Sequence, residues 1–66
     1  MILRTVAYYS KNSGKLMGWK RIRSWTKQGA IDWLIERDDM GWSNDVNFKI
    51  MPNNTDFGNF GESITI

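Results

Sequence analysis

The sequence predicts an α+β fold of ββαβ(β) order, with one helix packed on a small antiparallel-rich sheet. Three observations carry this. A run rich in β-branched and aromatic residues leads through a glycine-bearing turn into a return segment; apolar residues at helical spacing follow; a strictly alternating segment comes after them. A sheet face and a helix stripe of this kind each need an apolar cover, and here each supplies the other's.

Residues 2–9, Ile-Leu-Arg-Thr-Val-Ala-Tyr-Tyr, read as the first strand. Residues 10–15 contain Asn12-Ser13-Gly14, where glycine can take a positive φ, and so read as a hairpin turn. Residues 16–24 form the return strand. Thr26 then stands where a hydroxyl can accept from an orphan backbone N–H and open a helix. At 100° per residue Leu34 sits in the middle of the helix's apolar face, with Ala30 and Ile31 beside it and Trp33 and Ile35 on the flanks. Gly41 is expected to close the helix in a left-handed conformation. After a turn at residues 42–45, Val46, Phe48 and Ile50 alternate with Asn47 and Lys49, which makes a half-buried strand that Pro52 ends. Residues 53–61 read as a loop, and Ser63 to Ile66 as a last edge strand. The hairpin and a right-handed crossover give sheet order 2-1-3, with the first strand central. Leu34, Ala30, Phe48, Val46 and Ile50 are the expected core.

Sixty-six residues are read as one small domain, 1–66. So short a chain buries only about 60% of its unfolded surface. It has no Cys and no His, so neither a disulfide nor a thiolate or imidazole zinc site can add stability. The missing cysteines fit a reducing, cytoplasmic setting. The start Met-Ile-Leu-Arg carries no signal-peptide core, and no apolar run approaches the roughly 20 residues that cross a bilayer. No membrane partner is expected. Residues 1–37 hold eight Lys and Arg against Asp32 and Glu36, a net of +6. Residues 38–66 hold Lys49 against five acids, a net of −4. Either the basic half meets an anionic partner, or the two halves neutralise each other on folding.

The sequence argues against an enzyme. The usual general base and the best nucleophile are both absent. A carboxylate pair could hydrolyse a glycoside, but a domain this small offers little cleft. Asp39, Ser43 and Asp45 loosely follow a calcium loop, yet Asn44 and Ile50 stand where Gly and Glu are required. Asn12-Ser13-Gly14-Lys15 lacks the first glycine of a phosphate loop. No cofactor is implied. Asp38 and Asp39 lie where a helix dipole disfavours negative charge, and are expected to be solvated or paired with nearby Lys or Arg.

The candidate site is the octet Gly18-Trp-Lys-Arg-Ile-Arg-Ser-Trp25. Side chains alternate along a strand, so Trp19 and Ile22, three apart, face opposite ways. If Ile22 faces the helix, then Met17, Trp19, Arg21, Arg23 and Trp25 line the open face. The reverse would bury an unpaired guanidinium, which is costly. Lys20 and one of Tyr8 or Tyr9 complete the candidate set. Arg and Trp in such a stripe could merely stack on each other over a solvated sheet. They could also anchor a protein partner, since Trp, Tyr and Arg dominate binding hot spots. The reading preferred is a small regulator or inhibitor that occupies a macromolecular partner, a protein in first place. The alternatives are a nucleic-acid platform on the same stripe, and a homodimer.

Overall fold

The computed structural model describes residues 1–58. Strands β1 (Ile2–Ser10) and β2 (Leu16–Ser24) form a hairpin, helix α1 (Lys27–Glu36) follows, and a single 3-10 turn (Trp42–Asp45) leads into strand β3 (Val46–Met51). The sheet order is β2-β1-β3 with β1 antiparallel to both neighbours, as the 2-1-3 arrangement requires. The expected strand over Ser63 to Ile66 lies outside the described residues.

The hairpin turn is held by its own polar groups. Gly14 takes φ 72° and donates its N–H to Ser10 O at 2.9 Å. The Ser10 hydroxyl accepts from the N–H groups of Asn12 and Ser13. Beyond the turn, Tyr9 pairs with Leu16 but Tyr8 with Gly18, so Met17 is an extra residue on β2, a bulge at the start of the strand. From Gly18 to Ser24 the register is unbroken.

Thr26 caps α1 as its position predicts: its Oγ1 accepts the Gly29 N–H at 2.9 Å. Ala30 and Leu34 face down from the helix and are buried. They meet Val6 of β1 and Ile22 of β2, with Ile31, Trp33, Phe48 and Ile50 packed around them. The helix therefore lies over β1 and β2. Of the expected core, Leu34, Ala30 and Val46 are buried, while Phe48 and Ile50 are only partly so. They sit on β3, to one side of the helix, where Tyr8 and Trp42 pack around Phe48 instead.

The helix exit differs from the expectation. Gly41 is left-handed at φ 81°, but it does not close α1; the helix ends at Glu36, and Gly41 opens the 3-10 turn. The reason is Asp38. Its carboxylate accepts the backbone N–H groups of Met40, Gly41 and Trp42 on one oxygen and of Ser43 on the other, at 2.7–3.1 Å. This gathers the chain into a separate turn. Asp38 is thus satisfied by main-chain dipoles rather than by solvent or by a Lys or Arg. Partial burial works against the charged carboxylate, but the hydrogen bonds from Ser43, Met40 and Trp42 outweigh it and hold the pKa down at about 2. Among the described residues no helix is long and apolar enough to cross a membrane.

Candidate functional site

Strand alternation divides the candidate residues between two faces. Ile22 is 1% exposed and belongs to the helix-side core. With no bulge between Gly18 and Ser24, Trp19, Arg21 and Arg23 must lie on the opposite face. There they stand beside Ala7, Thr5 and Leu3, their partners on β1. Tyr9 shares that face, as do Lys49 and Met51 of β3.

Tyr8 and Lys20 do not. Lys20 pairs with Val6 on the helix side. Tyr8 also points that way and lies across Gly18, which has no side chain to block it. Its ring sits 5.0 Å from Trp42 and 6.2 Å from Phe48, centroid to centroid. Burial raises its hydroxyl pKa. Of the two tyrosines, Tyr9 is therefore the one near the stripe. Met17 occupies the bulge rather than a regular place on the open face. Trp25 follows the last residue of β2, at the corner before α1. It is 76% exposed, and its carbonyl accepts from the Arg4 guanidinium at 3.2 Å.

The face carrying Trp19 and Arg21 is covered by the chain itself. After Pro52 a turn forms, with Pro52 O accepting both the N–H and the hydroxyl of Thr55, at 3.0 and 2.6 Å. Asn53 then carries hydrogen bonding to β1 past the end of β3. β1 pairs with β3 only from Thr5 onward, and the Asn53 side-chain amide donates to Leu3 O at 2.7 Å, two residues beyond that limit. Its side-chain oxygen accepts from the Thr5 hydroxyl at 2.9 Å, and its main-chain oxygen from Arg21 at 3.1 Å. Arg21 also donates through Nε to the Thr5 hydroxyl at 3.3 Å. This network accounts for a threonine with no exposed surface.

Farther along, the Phe57 ring stacks on Trp19, with centroids 4.5 Å apart and planes 18° from parallel. The Arg21 guanidinium carbon lies 4.7 Å from the Trp19 ring centre. Trp19 and Arg21 are therefore half-buried, whereas Arg23 and Trp25 are open to solvent. The stripe has two parts: a covered platform at Trp19 and Arg21, and an exposed corner at Arg23 and Trp25.

Asn53 and Phe57 were not singled out by the sequence reading, which treats their segment as a loop. Two signals point to them. Phe57 is a large apolar side chain in a polar stretch, and such a ring gains most by covering something. Asn53 directly follows a strand-ending proline, where an amide can satisfy ladder groups that the strand no longer reaches. Among the described residues no cluster of three or more His, Cys, Asp or Glu could hold a metal ion. The chain matches no family model, no curated protein and no solved structure.

Proposed function

We propose that this chain is a small non-enzymatic binding module, a regulator or inhibitor that occupies a protein partner through the Arg/Trp face of β2. The supporting observation is the exposed corner. Trp25 keeps 76% of its surface in solvent. Arg23, two residues before it, is exposed as well. An indole gains more than any other side chain by being covered, and Arg beside Trp adds directional hydrogen bonds. Together they are the composition of an interface centre. A thin domain with so little interior also gains more from a partner than a large one does.

Nucleic acid is the second reading. Phe57 on Trp19 supports it, because the indole takes a flat ring in the geometry a stacked base would use. The placement of Lys20 on the helix side weakens it, since that cation is not aligned with Arg21 and Arg23 along one face.

The test is capture from a cell lysate, with and without nuclease, using the wild type, Trp25→Ala with Arg23→Ala, and Lys15→Ala at the exposed hairpin turn as a surface control. The protein reading expects a band that resists nuclease, survives Lys15→Ala and disappears with the double variant. Material lost on nuclease treatment shifts the reading to nucleic acid. In that case Arg21→Ala with Arg23→Ala should lower the log–log salt slope by about one unit for each phosphate contact removed. A band that the double variant retains overturns the assignment of the surface. Self-association would appear instead as a concentration-dependent mass in sedimentation.

A further inference from the structure

We infer that residues 52–58 are an internal stand-in for the partner. The platform of Trp19 and Arg21 is built to hold a short turn-forming peptide that brings an aromatic side chain to the indole and a main-chain carbonyl to the guanidinium. This rests on the binding-module reading and specifies the chemistry of what is bound.

The strap displays the recognition directly. Phe57 supplies the ring, stacked 18° from parallel on Trp19. Asn53 supplies the carbonyl, which accepts from Arg21 at 3.1 Å. Its side-chain amide donates to Leu3 O at 2.7 Å and so takes up a carbonyl of β1 that β3 does not reach. Ring and carbonyl are four residues apart in one short stretch. The same elements on another chain could take their place without change to the helix-side core of Val6, Ile22, Ala30 and Leu34, since that core lies on the other face of the sheet.

The attachment is also of a kind that can be released. Among the described residues it is made of one ring stack and a few hydrogen bonds, with no fully buried apolar side chain in the strap. A partner must displace it, and a closed strap lowers apparent affinity by the fraction of time the platform is free. A tether of this length keeps the strap near its platform at roughly millimolar effective concentration.

The probe is a synthetic peptide of residues 51–58 with blocked ends, titrated to millimolar concentration into full-length wild type and full-length Phe57→Ala. The readouts are the backbone amide signals of Thr5 and Arg21 and the indole signal of Trp19 by NMR. In Phe57→Ala the peptide should produce saturable shifts at those three residues. Binding to the wild type should be at least about tenfold weaker, as expected of a strap closed nine-tenths of the time. A control peptide carrying alanine in place of the phenylalanine should produce no saturable shift. Absence of shifts in Phe57→Ala, or equal affinity for both proteins, overturns the inference. So does loss of the fold in Phe57→Ala, measured by circular dichroism, because a ring the domain cannot fold without is not available for exchange. The capture assay reads Arg23 and Trp25 instead, so its failure is distinguishable from failure of the peptide titration.

Discussion

The Asp38 carboxylate accepts four consecutive backbone N–H groups, which fixes both the turn after the helix and its own charge state. Its folded pKa of about 2 lies below the ordinary 3.8. The sign follows from linkage: the group stabilises the fold fully above its unfolded pKa, and that contribution fades as pH falls toward the folded value. Wild type should therefore exceed Asp38→Asn in stability by a constant margin above about pH 5, and the margin should narrow between pH 4 and 2. Urea unfolding of both proteins across that range checks this; a margin that does not change with pH would mean the carboxylate's charge is not what holds the turn. Gly18 is the second residue with a sharp role. A Cβ there would stand 2.8 Å from Cε2 of Tyr8, closer than real contacts allow. Gly18→Ala should cost about 1–3 kcal/mol by overpacking. In a Tyr8→Ala background the same change should cost far less, because the ring it collides with is gone. A double-mutant cycle by chemical denaturation measures the coupling.

Among the elements, α1 depends most on its entry. Thr26 satisfies one otherwise orphan N–H, and the helix has no acidic residue in its first turn to complement the dipole. Thr26→Ala should destabilise the protein by about 1 kcal/mol, and Thr26→Ser by much less, since serine keeps the acceptor. Thermal melts of the two variants separate the loss of the cap from any loss of methyl packing. At its other end the helix is closed differently. Arg37 lies over the Trp33 ring at 3.6 Å and caps the last turn. β2 is the element on which the two faces divide. Its Ile22 secures the core, and that placement alone sends Trp19, Arg21 and Arg23 to the other side. This part of the site was legible in the sequence, because alternation is a local property of a strand. What lay over Trp19 was not, because Phe57 is 38 positions away in the sequence and nothing in its neighbourhood states which surface it reaches.

The described residues form a two-layer slab measuring 32 × 27 × 16 Å along its principal axes. One helix cannot cover three strands, so the cluster of Val6, Ile22, Ala30 and Leu34 gathers where α1 overlaps β1 and β2. Leu34, 2% exposed, fills that overlap. Leu34→Ala should cost roughly 2–5 kcal/mol through lost transfer energy and a residual cavity. That is comparable with the entire stability of a domain with so small a core, at roughly 0.05–0.15 kcal/mol per residue. The variant should be largely unfolded at 37 °C by circular dichroism; a cooperative melt close to that of the wild type would mean that the core is shared more widely than the packing indicates. The rest of the fold spends its aromatic residues outside this overlap. Tyr8, Trp42 and Phe48 form a second packed group near β3, and Trp19 with Phe57 covers the open face.

Local rules decided the strands, the hairpin at Gly14, the Thr26 cap, the stop at Pro52 and the face on which each β2 side chain lies. Each depends on backbone geometry or on a periodicity read over a few residues. Sheet order 2-1-3 also followed, since a hairpin and the handedness of a crossover leave few arrangements. Tertiary structure decided what the faces meet. Gly41 has the left-handed conformation its sequence permits, but the Asp38 carboxylate moved its role from ending α1 to opening the next turn. Tyr8 and Tyr9 were interchangeable by composition, and the buried Val6 between β1's neighbours settled which one joined Trp42. Asn53 and Phe57 acquired their partners only when the chain folded back over β2. Contacts between residues distant in sequence are fixed by the packing of the whole chain, which no short window of residues encodes.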